Sequence, residues 1–163
     1  MVPRRQERTS RVSEQPVSPL EAHLGYWLRF VSNHVSHAFK VKVERHGVTV
    51  AEWVVMRALF DGDGIKPSEL SDRISLTRGA VSKLLDRLES KGLVEIGSDP
   101  VDGRAQVVVL SAAGRKLVPK LAALADANDA ETFGQLSAEQ REKLRSILKS
   151  IVDRLGLKGS PVD

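Results

Sequence analysis

The segment from Lys66 to Ser111 constrains the fold most strongly, because its hydrophobic period changes from about 3.6 residues to two. Two amphipathic segments, KPSELSDRISL and RGAVSKLLDRLESKG, are separated by only a few residues around Leu76. A link this short predicts that the second helix crosses the first, as in a helix-turn-helix. After Gly92, LVEIGS and AQVVVL alternate like strands on either side of DPVDG, which is rich in turn formers and predicts a β-hairpin.

Helix-capping residues predict where the helices around this unit begin and end. Gly47 ends the preceding helical segment, and Thr49 with Glu52 forms a capping box that opens VAEWVVMRALFDG. Because this segment is apolar nearly all round, we expect it to be a buried central helix. Thr77 is placed to cap the second helix of the helix-turn-helix. The sequence therefore predicts a winged helix-turn-helix within residues 48–111.

Long helical segments at residues 19–47 and 112–157 flank this unit, so the predicted fold is mainly α (α+β). A small middle domain could not cover both of their apolar stripes. An intramolecular helical lid and a homodimer interface both remain open, and we favour the homodimer because the last stripe has near-heptad spacing. The stripes are Leu20, Leu24, Trp27, Val31, Val35 and Phe39 in the first helix, and Leu144, Leu148, Ile151 and Leu155 in the last.

The composition excludes several classes of function. The chain of 163 residues contains no cysteine, which excludes disulfide frameworks, thiolate metal sites and cysteine nucleophiles. It contains no G-x-S-x-G, Walker, H-E-x-x-H or dinucleotide motif, so we predict no enzymatic activity and no cofactor. No apolar run reaches the about 20 residues of a membrane span, and the N-terminus is charged where a signal peptide would be apolar. We therefore expect a cytoplasmic protein that makes no membrane contact.

The net charge of +4 is unevenly distributed along the chain. Residues 1–18 carry four arginines against two glutamates and show no periodicity, so we predict a flexible basic tail. Residues 158–163 form a second short tail. Two roles for the basic tail remain open: a solvated leader, or an arm that contacts DNA phosphates.

The outer face of the second helix of the helix-turn-helix carries groups that can contact DNA. Arginine and lysine can donate to guanine, serine can reach a base or a phosphate, and glycine permits close approach. Thr77, at the positive end of the helix, is suited to hold a phosphate. Residues 66–104 carry as many acidic as basic side chains, so the alternative is a protein-interaction module that acts on another regulator without specific DNA binding. The positions off the buried stripe are Arg78, Gly79, Ser82, Lys83, Asp86, Arg87 and Lys91, and Arg87 is included among the candidate contacts.

Taken in order, TRGAVSKLLDRLESKGLV and SDPVDGRAQVVVLSAAGRKL resemble the recognition helix and wing of the multiple-antibiotic-resistance-regulator (MarR) family. The resemblance extends over about residues 20–155. It implies a homodimer that binds a pseudo-palindromic operator, usually as a repressor, and that a small molecule releases in many members. By position, it assigns recognition contacts to Thr77, Arg78, Gly79, Ser82 and Lys83, a minor-groove contact to Arg104, and the orientation of that arginine to Asp102.

The wing departs from the family pattern. Many relatives carry basic residues where this chain has Ile96, Gly97 and Gly103. Each lost phosphate contact is expected to lower the salt dependence of DNA binding by roughly one unit of slope. The Arg-rich tail is a candidate to compensate for this loss.

The resemblance also implies an effector site between the dimerisation helices and the winged unit. Aromatic rings there could stack on a phenolic or anionic aromatic effector, although aromatics at helical spacing also fit a plain core. A zinc site at His34, His37 and Glu44 is a further possibility, but we favour surface histidines and predict no metal. The candidate effector residues are Trp27, Phe30, His34, Trp53 and Arg57, the last for an anionic head.

Overall fold

The computed structural model describes residues 17–98, 103 and 105–158. Within them, a 3₁₀ turn at Leu20–Ala22 precedes six α-helices and a two-stranded antiparallel sheet, which confirms the predicted fold class. The elements are α1 (Leu24–Glu44), α2 (Val50–Phe60), α3 (Pro67–Ile74), α4 (Arg78–Ser90), β1 (Val94–Ser98), β2 (Gln106–Leu110), α5 (Ala112–Phe133) and α6 (Ala138–Leu155).

The α3–turn–α4 segment forms the predicted helix-turn-helix. Ser75 ends α3 in the left-handed region with φ of 53°, and the Ser71 hydroxyl donates to the Leu76 carbonyl at 2.6 Å. These two features reverse the chain within a few residues. The Thr77 hydroxyl then accepts a hydrogen bond from the Ala80 amide at 3.2 Å and caps α4 as predicted.

The hairpin and the central helix complete the winged unit. β1 and β2 pair from Val94 opposite Leu110 to Ser98 opposite Gln106, which confirms the predicted hairpin strands. The helix α2 lies at the centre and packs against α3, α4, α5 and β2. The main buried side chains of this unit are Val55, Met56, Leu59, Leu70, Ile74, Val81, Leu84, Leu85, Leu88, Val94, Val108 and Leu110.

The first turn of α5 is fixed tightly to the start of the hairpin. Ser111 caps α5 by accepting from the Gly114 amide at 3.0 Å, and its hydroxyl donates to the Gly92 carbonyl at 2.7 Å. A Cβ atom added to Gly114 would lie 2.1 Å from the Leu93 carbonyl oxygen. Only glycine therefore allows α5 to approach the hairpin this closely.

The N-terminal helix begins later than the sequence predicted. A continuous helix from residue 19 was expected, but Leu20–Ala22 forms a 3₁₀ turn and His23 is extended before α1 starts at Leu24. The turn is closed by the Trp27 indole N–H, which donates to the Glu21 carbonyl at 2.9 Å.

The two terminal helices leave large apolar surfaces exposed. In α1, Val43 is buried and Phe39 packs against the core, whereas Trp27 is 52% exposed and Phe30 is 67% exposed. The helix α6 has no buried residue, although Ser137 and Gln140 form its predicted capping box. The apolar stripes of both helices therefore lie largely outside the core of this chain.

Some predictions fall outside the described residues, namely those for residues 1–16, Asp102, Arg104 and residues 159–163. In the part of the chain that is described, no helix is both long enough and apolar enough to cross a membrane. The same residues contain no group of three or more histidine, aspartate or glutamate side chains that could hold a metal ion.

Candidate nucleic-acid interface

The helix α4 buries one face and presents the other to solvent. Its leucines and Val81 pack into the core, which fixes the helix by an apolar stripe along its whole length. A Cβ atom added at Gly79 would meet nothing within 4 Å, so the first turn of α4 is open to a close partner. All six candidate contacts on this helix are exposed: Thr77, Arg78, Gly79, Ser82, Lys83 and Arg87.

The flank of α4 that faces away from the wing is basic. Lys83 and Arg87 line a groove there whose floor includes Ala51 and Leu84. The Arg87 Nε donates to the Lys83 carbonyl at 3.1 Å, which holds the guanidinium along the helix. Among the described residues, neither cation pairs with a carboxylate. This flank is therefore suited to contact a polyanion.

The flank of α4 that faces the wing has mixed charge. Arg78 and Ser82 line this cleft together with Asp86 and Glu89, and Ile96 and Gln106 of the hairpin form its far wall. Strands β1 and β2 contribute no lysine or arginine. Positive charge on the described part of the interface is therefore concentrated at the start of α4 and on the flank of α4 that faces away from the wing.

Lys91 lies off the buried stripe of α4, as predicted, but its ammonium group has partners outside this helix. It caps the C-terminal end of α4, but its Nζ turns inward and donates to both carboxylate oxygens of Glu52 at 2.8 Å. It also donates to the Gly47 carbonyl at 2.8 Å. Lys91 therefore differs from Lys83 and Arg87 in having a carboxylate partner, which leaves its charge less available to DNA.

Glu52 is completely buried, so its charge depends on these partners. Burial acts to raise the pKa of the Glu52 carboxyl. The hydrogen bonds from Lys91 and Thr49, together with the attraction of the Lys91 ammonium, outweigh burial and hold the pKa below its ordinary value of 4.5. Glu52 is thus an ionised carboxylate inside the winged unit at neutral pH.

A cavity of about 390 Å³ lies between α1, α2 and α5. The side chains of Trp53 and Phe39 form the aromatic part of its wall, and His37, Lys40 and Asp129 contribute polar groups. The remaining lining residues are Val35, Ser36, Val50, Val54, Ala125 and Asn128.

A polar cluster around buried Asn128 holds the α1 and α5 walls of this cavity together. Asn128 is 4% exposed, and its side chain accepts from Lys42 Nζ at 2.9 Å and donates to the Val35 carbonyl at 3.2 Å. Lys42 also pairs with Glu131 at 2.5 Å. The amide of Asn128 is therefore engaged in fixing the two helices.

The structure does not bring the five candidate effector residues into one site. Of them, only Trp53 lines the cavity between α1, α2 and α5. Trp27 and Phe30 lie on the exposed N-terminal half of α1, and His34 is also exposed. Arg57 pairs with Asp61 at 2.6 Å on the outer side of α2. The sequence missed His37 and Lys40, because helical spacing alone does not show which face of α1 meets α5.

These elements define a winged-helix protein with long terminal helices. The family model of the MarR family matches residues 46–105. Transcriptional regulator HosA of Escherichia coli O111:H- is 30% identical over 117 residues, which span 72% of this chain and 87% of HosA. The chain belongs to the MarR family, and it is a winged-helix transcriptional regulator.

Two further comparisons agree with this assignment. The HTH-type transcriptional repressor Rv2887 of Mycobacterium tuberculosis is 29% identical over 131 residues, which span 80% of this chain and 94% of that repressor. A crystal structure of a MarR mutant from Escherichia coli, complexed with operator DNA, matches with a TM-score of 0.71. It is 27% identical and the match covers 79% of this chain and 93% of that chain.

Proposed function

We propose that this protein is a homodimeric, sequence-specific DNA-binding repressor of a pseudo-palindromic operator. The observation that carries the proposal is the open N-terminal half of α4, where Arg78 and Lys83 are exposed and pair with no carboxylate among the described residues. In a major groove, such side chains donate to the O6 and N7 atoms of guanine. Ser82 lies one turn after Arg78 and can reach a neighbouring base or phosphate.

Phosphate contacts are proposed on both sides of the exposed N-terminal half of α4. The backbone amides at the start of α4, behind the Thr77 cap, offer the positive end of a helix to a phosphate. Arg87 is placed for the backbone that borders the other flank. Arg104, oriented by Asp102, completes the proposal as the minor-groove contact of the wing.

The exposed terminal helices support a homodimer. Large apolar side chains on α1 and α6 are between 37% and 87% exposed, and neither helix folds over the winged unit as a lid would. A second copy would remove both surfaces from water at once. A two-fold dimer would also place two α4 helices for the two halves of an inverted repeat. The exposed residues include Leu24, Trp27, Leu28, Phe30, Val31, Ile147, Leu148, Ile151, Val152 and Leu155.

The cavity between α1, α2 and α5 supports release by a small anionic aromatic molecule. Trp53 and Phe39 offer surfaces for an aromatic ring, and Lys40 and His37 stand at the polar side of the cavity. The helix α1 is a proposed dimer helix and α5 leads into the other, α6, whereas α2 belongs to the winged unit. A bound molecule would therefore change the angle between the dimer helices and the winged unit. The two α4 helices of the dimer would then no longer match both half-sites.

Benzoate and its neutral analogue benzamide test this effector hypothesis. The chain has two tryptophans, so a Trp27→Phe variant leaves Trp53 as the only tryptophan, which selective tryptophan excitation reports. We expect saturable quenching by benzoate, weaker quenching by benzamide, and loss of this difference in a Lys40→Met variant. Linear, unsaturable quenching by both compounds up to about 10 mM would exclude the cavity as an anion-selective site.

Selection of bound duplexes from a random pool, at physiological salt, tests the operator. We expect enrichment of an inverted repeat with half-sites about one helical turn apart. Affinity should fall by orders of magnitude between low and moderate salt, because several phosphates are contacted. No enrichment would contradict the proposal and favour the alternative, a winged-helix module that binds another regulator.

Transcription in vitro from a promoter that overlaps the selected sequence tests repression. We expect purified protein to lower transcript yield in parallel with occupancy of the operator. A rise in transcript yield would identify an activator instead.

A further inference from the structure

The C-terminal end of α4 is tied to the junction of α1 and α2 by an ion pair between partly exposed Lys91 and buried Glu52. Lys91 Nζ reaches both oxygens of Glu52 and the Gly47 carbonyl, each at 2.8 Å. Gly47 ends the turn after α1, and Glu52 lies in the first turn of α2. The end of α4 therefore meets the α1–α2 junction, about 40 residues away in sequence, at one ammonium group.

Every N–H donor of the Lys91 ammonium in this cluster has an acceptor. The three N–H bonds of the Lys91 ammonium have three acceptors, and the Glu52 carboxylate also accepts from the Thr49 amide at 2.7 Å. The Thr49 hydroxyl in turn accepts from the Glu52 amide at 3.2 Å. Hydrogen bonds are directional, so a cluster satisfied in this way permits one arrangement of its members.

The remaining attachment of α4 to the body is apolar. Val81, Leu84, Leu85 and Leu88 pack against the core, and such contacts are not directional. Within the described part of the chain, the bond from Lys91 to Gly47 is the only hydrogen bond between α4 with its cap and the segment that ends α1. Lys91 is thus the polar link between α4, the proposed recognition helix, and the end of α1, the proposed dimerisation helix.

We infer that Lys91 is a positioning residue, which fixes the direction of α4 relative to α1 and thereby sets the half-site spacing that the dimer accepts. The inference rests on the proposed function, since it concerns how two α4 helices match one operator. Lys91 touches no DNA in this assignment. Through Glu52 and Gly47, Lys91 instead fixes the angle between each α4 helix and the dimer axis.

Operator duplexes with zero, one or two base pairs inserted between the half-sites test this role. One inserted base pair changes both the separation and the rotation of the half-sites. Wild-type protein is expected to lose at least about tenfold in affinity per insertion, comparable to a mismatched site. A Lys91→Met/Glu52→Gln variant removes both charges without leaving a buried carboxylate unpaired, and we expect it to lose less than about threefold per insertion.

Two comparison variants and a check of folding make the result decisive. Lys91→Arg retains a cation that can bind both carboxylate oxygens, so it should keep wild-type spacing selectivity. Lys120→Met removes an exposed lysine of α5 that forms no hydrogen bond or ion pair within the described residues, and it should behave as wild type. Sedimentation of each variant as a dimer, with helical circular dichroism, separates loss of spacing selectivity from loss of folding.

Two outcomes would overturn the inference in distinguishable ways. A double variant that folds, dimerises and shows the wild-type penalty for each insertion would show that Lys91 has a structural role only. A wild-type protein that is indifferent to half-site spacing would refute the operator proposal itself, and the positioning role with it.

Discussion

Replacing Lys91 by methionine is expected to destabilise the fold by about 3 kcal/mol at neutral pH, as for other buried ion pairs that lose one partner. Glu52 is completely buried and would keep only its hydrogen bond from the Thr49 amide. Methionine retains most of the apolar stem of lysine, so little packing is lost. The lysine side chain is 36% exposed, so water can approach the carboxylate and the lower end of the known range applies.

This destabilisation should depend on pH with a defined sign. In the wild-type protein, the lowered pKa of Glu52 contributes stability above pH 4.5, and that stability is lost as the pH falls through the folded pKa. In the Lys91→Met variant, burial is opposed only by Thr49, so we expect the pKa of Glu52 to rise above its ordinary value. Between that raised pKa and about pH 4.5, folding of the variant takes up a proton. As the pH falls through this range, the stability deficit of the variant relative to wild type therefore shrinks by up to about 1.4 kcal/mol per pH unit.

Urea unfolding followed by circular dichroism at pH 5, 6, 7 and 8 measures this deficit. Protein concentration must be held constant, because the stability of a dimer depends on it. The Lys91→Met/Glu52→Gln variant is the matched control, and its deficit should stay level across the same range. A Lys91→Met deficit below about 1 kcal/mol at pH 7, or one that does not shrink toward pH 5, would refute the reasoning.

Four further substitutions test the interface and the fold. Arg78→Ala and Lys83→Ala should each weaken operator binding by about 1–3 kcal/mol if they contact bases; gel-shift titration on random DNA is the check, since an equal loss there would indicate phosphate contacts. Gly114→Ala should destabilise the protein by about 1–3 kcal/mol in urea titrations, because the new Cβ would meet a backbone oxygen at 2.1 Å. Gly97→Ala is the control, because a Cβ atom added there would meet nothing within 4 Å. Ser75→Gly should raise stability by up to about 1 kcal/mol by relieving the left-handed φ of 53°, and a lowered melting temperature would contradict this.

The features that sequence predicted correctly depend on residues close together in the chain. The capping boxes at Thr49 and Ser137 join partners three residues apart, so their spacing alone identifies them. The helix-turn-helix and hairpin strands follow from a change of hydrophobic period and from short links. The exposed face of α4 follows in the same way, because its buried stripe leaves the other positions to solvent.

The features that sequence missed depend on contacts between distant segments. Lys91 occupies a position off the buried stripe, as Arg87 does, yet only Lys91 lies beside the α1–α2 turn, 39 residues from its partner Glu52. One signal pointed to this contact. A glutamate on a central helix predicted to be buried nearly all round requires a cation nearby, because an unpaired carboxylate in that setting is strongly unfavourable. The capping box accounts for the Glu52 hydrogen bond to Thr49 but not for its charge. The sequence therefore contained the requirement for a partner, and the fold determined which of its cations meets it.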